Sequence, residues 1–261
     1  MPTSPERVCS HVGWAGLFGV AGAGGVVVLA LAAVLVAVPW AVLIGAAAAL
    51  VLGLVLWRSG PGMVLWGLGA RPVAEGELPR VVEAAKWLSA SVGVDPPRVM
   101  VQDCDGVFAA TVALSPGGLQ RSKDGLVTPS GVLVVGVATE ELLSPLQVEA
   151  LVARELVRMT LCTPWARAWD LLSTSALWAA TKAVPPAVVA RERQLELLAD
   201  ARALFVTRYP PALQGVLERT AEAPPPLPTG RQRLVAGFWM PRAGEAEGIL
   251  RSRIEALSEW L

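Results

Sequence analysis

Arg154, Glu155 and Arg158 are the residues of this chain whose types and spacing bear on chemistry. They lie in Leu151-Val152-Ala153-Arg154-Glu155-Leu156-Val157-Arg158-Met159. Residues four apart share one face of a helix, so histidines at i and i+4 can hold one Zn²⁺ while a glutamate after the first activates its water. Here both of those positions are arginine. A guanidinium stays charged and has no free lone pair, so it cannot replace imidazole as a ligand. The single histidine, His11, is far away in sequence and cannot restore a two-histidine site.

A helix must carry these residues, and the local sequence supplies one. Ser144-Pro145 is a start signal, with a capping residue followed by Pro at the first helical position, and Gln147 completes a capping box. A second long helix, from about Ala187 to Arg208, contains Glu196-Leu197-Leu198-Ala199-Asp200. Upstream, an amphipathic helix is expected from about Glu77 to Ser91, ending near Gly93. Short strands are expected at Arg98 to Gln102 and Phe108 to Ala113, and the all-apolar run Gly131 to Val137 predicts a buried third strand. Leu114 to Ser130, rich in Gly, Ser and Pro, is expected to be an exposed loop. Pro224 to Pro228 is expected to be a stiff linker. A final amphipathic helix is expected from Glu245 to Leu261, with Ile249, Ile254 and Leu257 inward.

Composition puts part of the chain in lipid. Of its 261 residues 54% are hydrophobic, and mean hydropathy is +0.52, too apolar for a wholly soluble domain of this length. No charged side chain occurs from Val12 to Trp57. Pro39-Trp40 divides the run into about Trp14 to Val38 and Ala41 to Trp57, a transmembrane helical hairpin over residues 14–57. The run is too long for a cleaved signal peptide. Trp14, Trp40 and Trp57 fall where aromatic rings favour the headgroup layer, and Arg7 and Arg58 flank an uncharged turn, so both termini are expected in the cytoplasm. Residues 1–13 form the cytoplasmic N-terminus and 58–261 a cytoplasmic domain. Trp165 to Ala190 is hydrophobic but too short for two spans. It is assigned to a helix that packs on the domain or lies along the membrane surface.

Cys9, Cys104 and Cys162 include no close pair, which points to free thiols in a reducing compartment. Asparagine is absent and arginines outnumber lysines nineteen to three, a bias that suggests a GC-rich bacterial genome. No phosphate loop, dinucleotide fingerprint or basic nucleic-acid stripe occurs. The expected fold is α+β, mostly helical, with a small sheet.

The order of these features resembles the HtpX-type membrane zinc metallopeptidases, relatives of the CAAX prenyl proteases, from Gly69 to Leu261. Gly69-Ala70-Arg71-Pro72-Val73 resembles the juxtamembrane entry and Gly106-Val107-Phe108-Ala109 the Asn-Ala-Phe-Ala turn. Ser144 to Met159 resembles the HExxH helix, Glu196 to Asp200 the ExxxD element, and Arg253-Ile254-Glu255-Ala256-Leu257 the closing helix. The resemblance implies that Glu155 stands at the general-base position, Glu196 at the third zinc ligand, and Asp200 beside the metal site. The strand Gly131 to Val137 would flank the cleft, either aligning a peptide by strand addition or serving as an ordinary core strand.

With both histidine positions taken by arginine, the expectation is a degenerate, catalytically inactive homologue without zinc. It would sit in the bacterial cytoplasmic membrane and bind a polypeptide or membrane-protein partner besides the lipid bilayer. The alternative is an active metalloendopeptidase with a remodelled metal site, Cys104 or Cys162 being recruited to Glu196. If the family fold applies, Arg154 and Arg158 face Glu196 and Asp200, with Glu155 adjacent. Two guanidiniums then carry the same charge as the absent ion. The competing arrangement leaves both arginines solvated on an open cleft.

Overall fold

The computed structural model describes residues 25–26, 38–113, 119–121, 127–129, 131–161, 186–222, 232 and 246–258. Helix α1, Val38–Leu68, is followed by strand β1, Arg71–Pro72, helix α2, Pro79–Val92, and strands β2, Arg98–Gln102, and β3, Ala109–Ala113. Short strands β4, Leu119–Arg121, and β5, Val127–Pro129, precede β6, Gly131–Gly136. Helices α3, Thr139–Leu142, α4, Pro145–Leu161, α5, Pro186–Thr207, α6, Pro210–Glu222, and α7, Ala246–Ser258, complete the order. The fold is α+β, mostly helical, with a small mixed sheet.

Helix α1 departs from the expected boundaries. It starts before Pro39, whose missing N–H is harmless in a first turn, and it runs through Gly60-Pro61-Gly62 to Leu68 instead of ending at Trp57. Packing overrides the Gly-Pro-Gly signal: Val64 and Leu68 are fully buried in one cluster with Phe108, Val112, Val132 and Val134. The helix closes at Gly69, φ 72°, with Ala70 N–H donating to Leu65 O at 3.1 Å, which satisfies a terminal carbonyl. Leu43–Gly60 is long and apolar enough to cross a bilayer and is mostly exposed. Of the expected first span, Gly25 and Val26 are described. They are helical, and a Cβ on Gly25 would stand 2.7 Å from Ala49 Cβ, so the glycine permits close approach to α1.

The larger sheet has the order β1-β2-β6-β3, with β6 parallel to β2 and antiparallel to β3. Every residue of β6 is buried, as its apolar sequence predicts. Leu133 and Val135 join the core under α2 and α4, while Val132 and Val134 join the cluster under α1. Because β6 is paired on both sides, it has no edge to offer a peptide, so it is the core strand and not the strand-addition site. Within Leu114 to Ser130, expected as an exposed loop, residues 119–121 and 127–129 form the short antiparallel pair β4–β5.

Helix α2 ends as expected, with Gly93 at φ 76° donating its N–H to Ser89 O. Helix α4 is central, and each residue from Ala150 to Met159 is buried. Its capping box is present: Ser144 N–H donates to Gln147 Oε1 at 2.8 Å and Gln147 N–H to Ser144 Oγ at 3.4 Å. Helices α5, α6 and α7 meet α4 through Ala150, Leu204, Leu213, Leu217 and Leu257, with Ile254 packed alongside. Most of Trp165 to Ala190, Pro224 to Pro228, the Ile249 side chain, His11, Cys9 and Cys162 lie outside the described residues.

Candidate functional site: a buried arginine–carboxylate cluster

Arg154 and Arg158 project from one face of α4 toward Glu196 and Asp200, which share a face of α5 by the same four-residue spacing. Arg154 touches three carboxylates. Its Nε donates to Asp200 Oδ1 at 2.7 Å, its Nη1 to Glu155 Oε1 at 2.7 Å, and its Nη2 to Glu196 Oε2. Arg158 donates through Nη1 to Glu155 Oε1 at 3.3 Å and through Nη2 to Glu196 Oε1. Arg154 is 2% exposed and Glu155 fully buried; Arg158, Glu196 and Asp200 are buried as well. The arrangement with arginines solvated on an open cleft is therefore not the one observed.

A third arginine completes the cluster, and the motif reasoning does not identify it. Arg253, on α7, is buried and donates through Nε to Asp200 Oδ2 at 2.6 Å and through Nη2 to Asp200 Oδ1 at 2.8 Å. Its Nη1 lies 3.4 Å from Glu196 Oε2. A signal was available in the charge count. Glu155, Glu196 and Asp200 bring three negative charges to a buried site and two arginines bring two positive ones, so an interior that avoids net charge needs one more cation. Arg253 supplies it from the neighbouring helix.

Charge and burial oppose each other here. Burial alone favours the uncharged form of Arg154, but the fields of Glu196, Asp200 and Glu155 outweigh it and hold its pKa above the usual arginine value. Among the described residues Glu155 Oε2 has no hydrogen-bond partner, so the general-base position of the resemblance holds one carboxylate oxygen committed to the arginines and one that they leave open. The cavity reaching Arg154, lined also by Val107, Phe108, Leu151, Val216 and Thr220, has a volume of about 20 Å³. That admits about one water molecule and no peptide. A wider, open depression of about 840 Å³ lies among Glu77, Leu78, Arg80, Glu140, Leu143 and Gln147, and its lining includes none of the cluster residues.

The carboxylates of Glu196 and Asp200 are held by guanidinium N–H groups, and among the described residues no three His, Cys, Asp or Glu side chains come together to hold a metal ion. Cys104 is not recruited to Glu196. It lies in the cluster under α1, with its Sγ 3.6 Å from Gly106 O, and burial pushes its thiol pKa up to about 11. A protonated thiol is a poor ligand. Cys104 also packs tightly, because a Cβ on Gly136 would come within 2.6 Å of its Sγ.

No protein-family model, curated protein or solved structure matches the chain.

Proposed function

We propose that this chain is a membrane-anchored pseudopeptidase, a non-catalytic counterpart of the HtpX-type zinc metallopeptidases that acts as a protein-binding or regulatory module. The observation that carries the reading is Arg154, whose one guanidinium joins Glu155, Glu196 and Asp200 at the positions that the resemblance assigns to base, ligand and outer partner. Supporting it are the order of capped helix, ExxxD helix and closing helix, and the bilayer-length segment of α1. The cytoplasmic face of a bacterial cytoplasmic membrane is part of the same proposal.

A catalytic zinc ion lowers the pKa of its bound water to about 7, whereas water held by a carboxylate alone keeps nearly its bulk acidity. In this cluster the cations are spent on neutralising carboxylates, and a guanidinium offers no vacant coordination position. Three helices are tied where a metal would tie two.

Metal analysis and endopeptidase assays on the detergent-purified full chain test the reading. The expected result is substoichiometric zinc and no cleavage that depends on Glu155. Stoichiometric zinc together with cleavage abolished by Glu155→Gln would overturn it in favour of an active metalloendopeptidase.

A further inference from the structure

Helix α1 keeps an exposed stripe past the point where the domain begins to cover it. Gly60, Val64, Gly67 and Leu68 are buried on one side, Val64 and Leu68 in the cluster with the sheet. On the opposite side Val55, Arg58, Gly62, Met63 and Trp66 are exposed, and steps of three or four residues keep them on one face. Met63 is 42% exposed and Trp66 58%. The hydroxyl on this side is bonded within the helix, Ser59 Oγ donating to Val55 O at 2.7 Å, so it does not require water. The stripe continues the bare face of Leu43–Gly60.

Depth along the helix decides what meets this stripe. From Val38, where α1 begins, to Trp57 the axis rises about 29 Å, just under the roughly 30 Å of a hydrocarbon core. The uncharged part of α1 is therefore used up in crossing, and Arg58 stands at the boundary. Each headgroup layer is roughly 5 to 7 Å deep. Met63 lies about 7 Å beyond Arg58 and Trp66 about 12 Å. Helical side chains point back toward the N-terminus and cover the turn before their own Cα, so the Trp66 ring returns to the level of Met63. Both side chains then fall in the headgroup layer, where an amphipathic indole is best accommodated.

We propose that Met63 and Trp66 form a phospholipid-contacting face that seats the domain directly on the bilayer surface. The proposal rests on the reading of α1 as a membrane-crossing helix. Val64, between them in sequence and buried on the other side of α1, is at the same depth, so the part of the domain packed on it meets the headgroups as well. The domain has no free stalk: the bare helix ends at Gly60, where burial begins.

The test uses the full chain with Cys9, Cys104 and Cys162 changed to Ala and one new cysteine carrying a nitroxide, reconstituted in phosphatidylcholine nanodiscs. Spin relaxation by a water-soluble nickel chelate and by oxygen reports depth. The label at Met63→Cys is expected to be about five-fold less accessible to nickel than one at Glu83→Cys, exposed on α2 across the sheet from α1. Adding Trp66→Glu is expected to restore most of that access; unchanged protection would overturn the role of Trp66. Equal nickel access at Met63→Cys and Glu83→Cys, with Leu50→Cys reached by oxygen alone, would overturn the seating and leave the anchor standing. Nickel access at Leu50→Cys would overturn the anchor and the seating together. Protection at Met63→Cys with spin–spin broadening that vanishes on dilution with unlabelled chain would also overturn the lipid contact, by assigning the stripe to a second copy.

Discussion

Arg253 and Asp200, 53 residues apart in the chain, form a two-point pair in which Nε and Nη2 of the guanidinium donate at 2.6 and 2.8 Å to the two oxygens of one carboxylate. The pair fixes the C-terminal helix to α5 and makes the charge of the interior cluster sum to zero.

Removing one member should be costly. Arg253→Met leaves two guanidiniums facing three carboxylates, and breaking a buried pair in this way typically costs about 3 to 5 kcal/mol. Adding Asp200→Asn restores neutrality, so the double variant should lose clearly less stability than the two single losses combined. Thermal melts of the four proteins in one detergent measure this. A loss below about 0.5 kcal/mol for Arg253→Met, the level of an ordinary surface substitution, would show that the pair carries no weight.

The same accounting bears on metal. In Arg154→His with Arg158→His, a Zn²⁺ ion would replace two positive charges with two, while Arg253 and Asp200 stay paired. One zinc per chain is therefore expected, with two histidines and Glu196 as ligands. The melting temperature should rise on adding zinc, by linkage between binding and folding. Unchanged metal content and melting temperature would mean that α4 and α5 are not spaced for tetrahedral coordination.

Cys104 should betray its burial through pH. Its thiol titrates at about 11 in the folded chain, against about 8.5 when free. Between those values the unfolded chain has lost a proton that the folded chain keeps, so this group's contribution to stability is intact below about pH 8.5 and falls as pH rises toward 11. Denaturation midpoints should drop over that range in the wild type and drop less in Cys104→Ala. Iodoacetamide at pH 8 should modify Cys104 in denaturant and leave it unmodified in the native protein, a difference that peptide mass analysis reads directly.

Legibility in the sequence followed the range of the interactions. The capping box at Ser144 and Gln147, the glycine stop at Gly93 and the buried strand β6 are settled within a few residues, so pattern alone finds them. The opposition of Arg154 and Arg158 to Glu196 and Asp200 came from spacing on two helices plus a family resemblance. Arg253 was hidden because a basic residue on an amphipathic helix ordinarily faces solvent, and only the charge sum at a distant site argues otherwise. Gly60-Pro61-Gly62 has the composition of a break, yet the burial of Val64 and Leu68 holds the helix through it. The β4–β5 pair is illegible in the sequence because it is three residue pairs long and set in a Gly- and Pro-rich stretch.

The unbroken run of α1 into the core leaves no swivel between Leu43 and Leu68. Advancing the helix by one residue would turn it about 100°, carrying Val64 and Leu68 off the sheet and presenting their neighbours instead. On the proposed reading of α1 as a membrane-crossing helix, changes in bilayer thickness would then be met by leaning the whole rod. The attached body would lean with it, and the lipid would set the attitude from which the domain meets anything approaching along the surface.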